Sequence, residues 1–181
     1  MTDVDHSDSR PIFAFVGDSL TASGSWQEWF PDVQAINLGT DGDVTDDVIA
    51  RSDAIAESKP STISLLIGTN DLATRRSVEH LVRNVELLLV SLRRDLPDAK
   101  VLLHSILPRE RSYASRIKDA NRHLWQFASV SGAHWLDLWP VFAEPEGELK
   151  PEFTDDGVHL NAAGYEAWLE LLRPALAELD E

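Results

Sequence analysis

Short apolar, β-branched runs alternate along the chain with stretches of helical periodicity. Residues 12–16, 33–37, 62–67, 100–105 and 134–138 read as strands. Residues 45–58, 78–95, 112–131 and 162–179 read as helices. The helix beginning at Val78 carries Leu81, Val82, Val85, Leu88, Leu89 and Leu92 at the spacing of one buried stripe, and Pro97 marks its end. Asn161 is placed to cap the last helix, with Leu169, Leu172 and Leu176 on its inner face. Strand followed by helix, repeated, predicts a parallel sheet with helices on both faces, joined by right-handed crossovers. No internal repeat or linker divides the pattern. The expectation is one domain over residues 11–181 behind a flexible N-terminal tail of residues 1–10, with a surface loop at 144–153.

Composition narrows the classes of function. A length of 181 residues, 43% hydrophobic and 26% charged, suits one domain with a proper core. The formal charge of −15 argues against nucleic acid and anionic membrane surfaces as partners, because both repel it. The absence of cysteine excludes disulfides, thiolate catalysis and cysteine metal sites. Residues 1–10 are polar and acidic, unlike a secretory signal, and no run approaches the ~20 apolar residues that span a bilayer. A cytoplasmic protein without stable membrane insertion is the expectation.

The candidate chemistry lies in four segments. Gly17-Asp18-Ser19-Leu20 follows the first strand, and Asn37-Leu38-Gly39 closes the second. Gly68-Thr69-Asn70-Asp71 follows the third, and Asp156-Gly157-Val158-His159 precedes the last helix. In open α/β sheets ligands bind beyond the carboxyl ends of the strands, where Ser19, Gly39 and Asn70 all fall. His104 and Ser105 end the fourth strand at the same edge and are secondary candidates. A neutral serine hydroxyl needs a base to act as a nucleophile. Taken singly, each segment also has a plain reading: a helix cap at Ser19, a turn at Gly39, an Asx turn at Asn70, and a turn with a capped surface histidine at residues 156–159.

Together and in this order, the four segments resemble the SGNH (GDSL-type) esterase and acylhydrolase family. Gly39-Thr40-Asp41-Gly42-Asp43-Val44-Thr45, followed by Val48 and Arg51, is similar to the corresponding stretch of the platelet-activating-factor acetylhydrolase catalytic subunits, as is Ile106-Leu107-Pro108-Arg109. Asp41 and Val44 depart from that subgroup. The resemblance implies a three-layer α/β/α sandwich of flavodoxin-like topology with about five parallel strands. It implies Ser19 as nucleophile, His159 as base and Asp156 as the acid that orients the ring, with Asp155 the competing neighbour. It further implies an oxyanion hole from the Ser19 and Gly39 N–H groups and the Asn70 amide. No cofactor and no metal are expected. The expected partner is a small-molecule ester, short-chain or O-acetyl, and the subgroup admits a homodimer. A lysophospholipase, a thioesterase or an acyltransferase would use the same site. A catalytically idle glycan- or lipid-binding module is the alternative of a different class. Asp18 is expected to hold the turn and not to move protons.

Other features carry less. Asp41, Asp43, Asp46 and Asp47 lack the glycine and distal glutamate of an EF-hand loop and suit a helix start instead. His6, His80, His123 and His134 are scattered without metal-ligand spacing. Trp26, Trp29 and Phe30 follow the nucleophile and could line an acyl pocket or simply pack. Arg109 and Arg111 are read as a solvated loop, with contact to an anionic group as the alternative.

Overall fold

The computed structural model describes residues 9–179. Residues 1–8 of the expected tail lie outside the described residues. Arg10, at the end of that tail, donates to the Pro31 carbonyl and accepts through its own carbonyl from Gln34.

Five strands form one parallel sheet: β1 (Ile12–Gly17), β2 (Gln34–Gly39), β3 (Thr62–Leu66), β4 (Lys100–His104) and β5 (His134–Leu136). Their order is β2-β1-β3-β4-β5, and every pairing is parallel. This is the doubly wound arrangement expected when consecutive strand–helix units cross over with one hand. The long helices are α6 (Val78–Asp95), α7 (Ala114–Ser131) and α9 (Ala162–Leu179), at the positions their periodicity predicts.

Strand residues alternate between two cores because successive side chains point to opposite faces. Ala14, Val16, Ile63, Leu65, Val101 and Leu103 pack under the helices of one face, against Leu81, Val85, Leu88, Ile117 and Leu124. Phe13, Phe15, Leu66 and Leu102 face the other layer, with Leu20, Trp26, Phe142, Trp168 and Leu172. Pro174 sits inside α9 on its exposed side, so its missing N–H leaves the buried stripe of Leu169, Leu172 and Leu176 intact.

The structure departs from the periodicity where side chains compete with the helix. The helix expected over residues 45–58 is two, α3 (Thr45–Ala50) and α4 (Ser52–Glu57). Arg51, between them, leaves helical dihedrals at φ −112° and ψ 17°, while its guanidinium reaches Asp43 and the Gly17 carbonyl. β5 stops at Leu136 because the Leu138 N–H turns to the Ser105 hydroxyl and Asp137 caps the Trp139 N–H. Four short helices escaped the pattern: α1 (Ser19–Ala22), α2 (Trp26–Trp29), α5 (Thr69–Ala73) and α8 (Trp139–Phe142). Each is four or five residues long, too short to show a period of 3.6. Two of them, α1 and α5, carry the residues of interest.

Candidate active site

The turn after β1 places Ser19. Asp18 accepts from the Leu20 N–H through its carboxylate at 3.0 Å and from the Thr21 and Ala22 N–H groups through its carbonyl. Ser19 is thereby the first residue of α1, and its N–H is among the first-turn donors that have no intrahelical acceptor. Gly17 is required beneath it, because a Cβ there would meet the Leu66 carbonyl at 2.2 Å. Asp18 itself is buried, and burial pushes its carboxyl up to about 7, against the pull of the Leu20 N–H and of His159. Its hydrogen bonds serve the turn.

The loop before α9 delivers the other two groups. The Ser19 hydroxyl lies 3.2 Å from His159 Nε2, and His159 Nδ1 lies 2.7 Å from an Asp156 oxygen. The second Asp156 oxygen accepts from the Val158 and His159 N–H groups at 2.9 and 2.7 Å. The His159 ring first, then these two N–H groups, hold the Asp156 carboxyl well below the usual carboxylate range. A carboxylate at Nδ1 keeps the proton there and turns a bare Nε2 toward Ser19, which is the arrangement that can draw a proton from a hydroxyl. Both side chains of this dyad are 54% exposed, so the reacting groups lie open to solvent. Asp155 is exposed and makes no hydrogen bond among the described residues.

Thr154 holds the loop in that shape, although it did not stand out in the sequence. Its hydroxyl donates to the His159 carbonyl at 2.6 Å and accepts from the Gly157 N–H at 2.9 Å. Such side-chain to backbone bonds across a five-residue turn leave no periodic trace in a sequence.

Asn70 lies in α5, which is fastened from three sides. Asp71 is buried and accepts from the Thr45 N–H and hydroxyl at 3.0 and 2.6 Å, and burial raises its carboxyl above its ordinary value. Arg109 donates to the Thr69 carbonyl, and Arg116 donates to the Leu72 carbonyl. Asn70 Nδ2 donates to the Asp43 carbonyl at 3.0 Å, which ties it to the loop after β2.

Gly39 is placed differently from expectation. Its N–H donates to the Asn37 side chain at 3.0 Å, so that donor is already engaged. A Cβ on Gly39 would meet the Ala22 backbone N at 2.2 Å, so the glycine lets β2 approach α1. Gly42, three residues on, has φ +79° with no heavy atom within 4 Å of where a Cβ would lie. Its N–H makes no hydrogen bond among the described residues. The Asp-Gly-Asp turn at residues 41–43 was the signal for it.

The secondary candidates are structural. His104 is 1% exposed; its Nε2 pairs with the Ser64 hydroxyl at 2.8 Å and its Nδ1 accepts from the Trp168 indole. Burial lowers its pKa to about 3, which keeps the ring neutral. The Ser105 hydroxyl accepts from the Leu138 N–H. Arg109 is buried against Tyr113 and Glu110, not solvated, while Arg111 is exposed and pairs with Glu146. Asp43 pairs with Arg51, Asp46 with Arg76 and His80, and Asp47 accepts from the Val44 N–H. Among the described residues no group of three or more histidines and carboxylates is placed to hold a metal ion.

Trp26 belongs to the core. It is 1% exposed, stacks on Phe15 at 4.2 Å, meets Trp168 edge-on and donates its indole N–H to the Thr21 carbonyl. Phe30 and Trp29 border a groove with Phe13 and Pro31, near the amino end of β1. Trp26→Ala is therefore expected to lower the free energy of unfolding by about 3–5 kcal/mol in chemical denaturation. A shift in acyl-chain preference at unchanged stability would return Trp26 to the acyl pocket.

Comparison with known proteins gives the family and the fold. The model of the GDSL-like Lipase/Acylhydrolase family matches residues 15–167. The chain belongs to that family. Its enzyme class is carboxylic ester hydrolase. The human platelet-activating factor acetylhydrolase IB subunit alpha1 is 26% identical over 186 residues, covering 97% of this chain and 79% of the relative. A Streptococcus pneumonia structure named for platelet activating factor superposes with a TM-score of 0.83 at 30% identity, over 95% of this chain and 86% of the other. An acetyl-xylooligosaccharide esterase variant from Geobacillus Stearmophilus shares the fold, with a TM-score of 0.75 at 17% identity over 90% and 92% of the two chains. The family acts on small-molecule esters. No helix among the described residues is long and apolar enough to cross a membrane.

Proposed function

We propose that the protein hydrolyses short-chain or O-acetyl esters through an acyl-Ser19 intermediate. The observation that carries this reading is the unbroken chain from the Ser19 hydroxyl through His159 to Asp156, at 3.2 and 2.7 Å. Ser19 Oγ attacks the acyl carbon as its proton passes to His159 Nε2. The imidazolium, paired with Asp156, then protonates the departing alkoxide and leaves an ester on Ser19. Water attacks that ester with His159 again as base, and the carboxylic acid departs.

The carbonyl oxygen turns negative in each attack and needs donors already aimed at it. The Ser19 N–H supplies one, and the Asn70 amide hydrogen not spent on Asp43 supplies another. For the third we assign the Gly42 N–H in place of that of Gly39. Gly42 is free and open, and it adjoins the residue whose carbonyl holds Asn70, whereas the Gly39 donor is engaged with Asn37. Asn70→Ala is expected to lower kcat by about 10²–10³-fold with little change in KM, because the bond strengthens as charge develops. An effect confined to KM would make Asn70 a ground-state binder.

Openness at His159 and the absence of Trp26 from the site favour a short acyl group, as do the acetyl esters in the names of two relatives. Initial rates on p-nitrophenyl esters from acetyl to palmitoyl test this. Turnover is expected to fall steeply beyond short chains. A long-chain optimum would overturn the substrate assignment and leave the mechanism standing.

A further inference from the structure

The sheet ends at β5, and beyond that edge lies a groove of about 390 Å³. One wall is a single stripe of α7: Lys118, Arg122 and Trp125 stand at positions i, i+4 and i+7. The other wall is Trp135 of β5 with Asp137 and Trp139 just beyond it. Three of the six tryptophans of the chain thus line one opening. Trp125 is 53% exposed, an unusual cost for a large aromatic ring unless something covers it. The volume falls at the lower end of the range for small-molecule sites, which pair apolar walls with a few polar groups.

Charge decides among the ligands that indole faces attract. Aromatic walls with a carboxylate could hold an organic cation. Here the Lys118 ammonium already lies 5.5 Å from the Trp139 ring centroid, with no carboxylate partner among the described residues, whereas Arg122 is paired with Asp119 at 2.6 Å. A further cation would meet the Lys118 charge. A neutral polyol with one apolar face does not. Its ring C–H groups can lie on Trp125, while its hydroxyls donate to Asp137 and accept from Lys118.

We propose that this groove is a glycan subsite that holds one pyranose of an oligosaccharide. Asp137 and Trp139 follow the carboxyl end of β5 as Ser19 follows that of β1, so one end of the groove lies on the edge of the sheet that carries the nucleophile. Three strand spacings, about 14 Å within the sheet, separate β1 from β5 there. A bound sugar chain could therefore present an ester on a neighbouring residue to Ser19. Binding stands without the esterase reading; the gain in rate on a glycan ester rests on it.

Tryptophan fluorescence titrations with unacetylated xylohexaose and cellohexaose test binding directly. A saturable change in the millimolar range or below is expected with at least one of them. Trp125→Ala and Lys118→Gln, both at exposed positions, are each expected to weaken it, the former by about tenfold. For Trp125→Ala, kcat/KM on p-nitrophenyl acetate is expected to stay at the wild-type value, while that on acetylated xylo-oligosaccharide falls by a similar factor. No saturable change with either sugar would overturn the proposal, as would binding that Trp125→Ala leaves intact. A dimer seen in sedimentation and abolished by Trp125→Ala would also overturn it, since a second copy would then fill the groove. Sugar binding without turnover of any ester would uphold the subsite and overturn the esterase reading alone.

Discussion

Ser19→Ala is expected to abolish ester turnover while the protein stays folded. The Ser19 side chain is half-buried at the start of α1, and its hydroxyl makes one side-chain hydrogen bond, to His159. Removing it strands no buried partner, because His159 is exposed and water can replace the hydroxyl. Stability should therefore shift by no more than about 0.5 kcal/mol. The chemical loss is of another order. Without the oxygen no acyl-enzyme can form, and what remains is attack by water in a site that still holds the oxyanion donors. Loss of the serine in a hydroxyl–imidazole–carboxylate unit costs on the order of 10⁶-fold in kcat, below detection with p-nitrophenyl acetate. The readout is paired: initial rates beside a thermal melt. Near-wild-type turnover in a variant with an unchanged melt would place the nucleophile elsewhere and dissolve the mechanism.

Much of this molecule is legible in its residues, and the failures share a cause. Elements whose burial repeats with a period appear where the sequence puts them. The stripe from Leu81 to Leu92 and that from Leu169 to Leu176 are both buried as expected. The parallel sheet follows from the alternation of strand and helix. What the pattern misses is decided by single hydrogen bonds. Arg51 divides one expected helix in two while its guanidinium reaches Asp43, and Asp137 ends β5 by capping Trp139. The position of Gly39 is a case of the same kind. Its place after a strand reads equally well as a donor to substrate or as a close contact, and only the Asn37 side chain and the Ala22 backbone separate the two. For Trp26 the sequence leaves pocket and packing both open, packing being the commoner, and the structure shows packing. Aromatics next to a nucleophile can face the site or the core, and the sequence does not say which way a four-residue helix is turned.

The assignment of the acid rests on one position, and Asp156→Asn tests it against Asp155→Asn. Asparagine keeps the size of Asp156 and an oxygen that can still accept from the Val158 and His159 N–H groups, so the loop should hold its shape. What changes is the atom facing His159 Nδ1. An amide NH₂ there is a donor and forces the ring to accept, which moves the ring proton to Nε2 and turns an N–H, not a lone pair, toward Ser19. The base is then in the wrong tautomer at the right distance. The imidazolium formed during attack also loses its counter-charge. Together these predict a fall in kcat of about 10⁴-fold with KM and the thermal midpoint little changed. Asp155 is exposed and bonded to nothing among the described residues, so Asp155→Asn should leave kcat/KM within about twofold of wild type, as expected of a surface charge. If instead Asp155→Asn is the more damaging change, the carboxylate that serves His159 during turnover is the neighbouring one. The loop between Thr154 and His159 would then have to rearrange when substrate binds, and the bonds that Thr154 makes across it would be those that break.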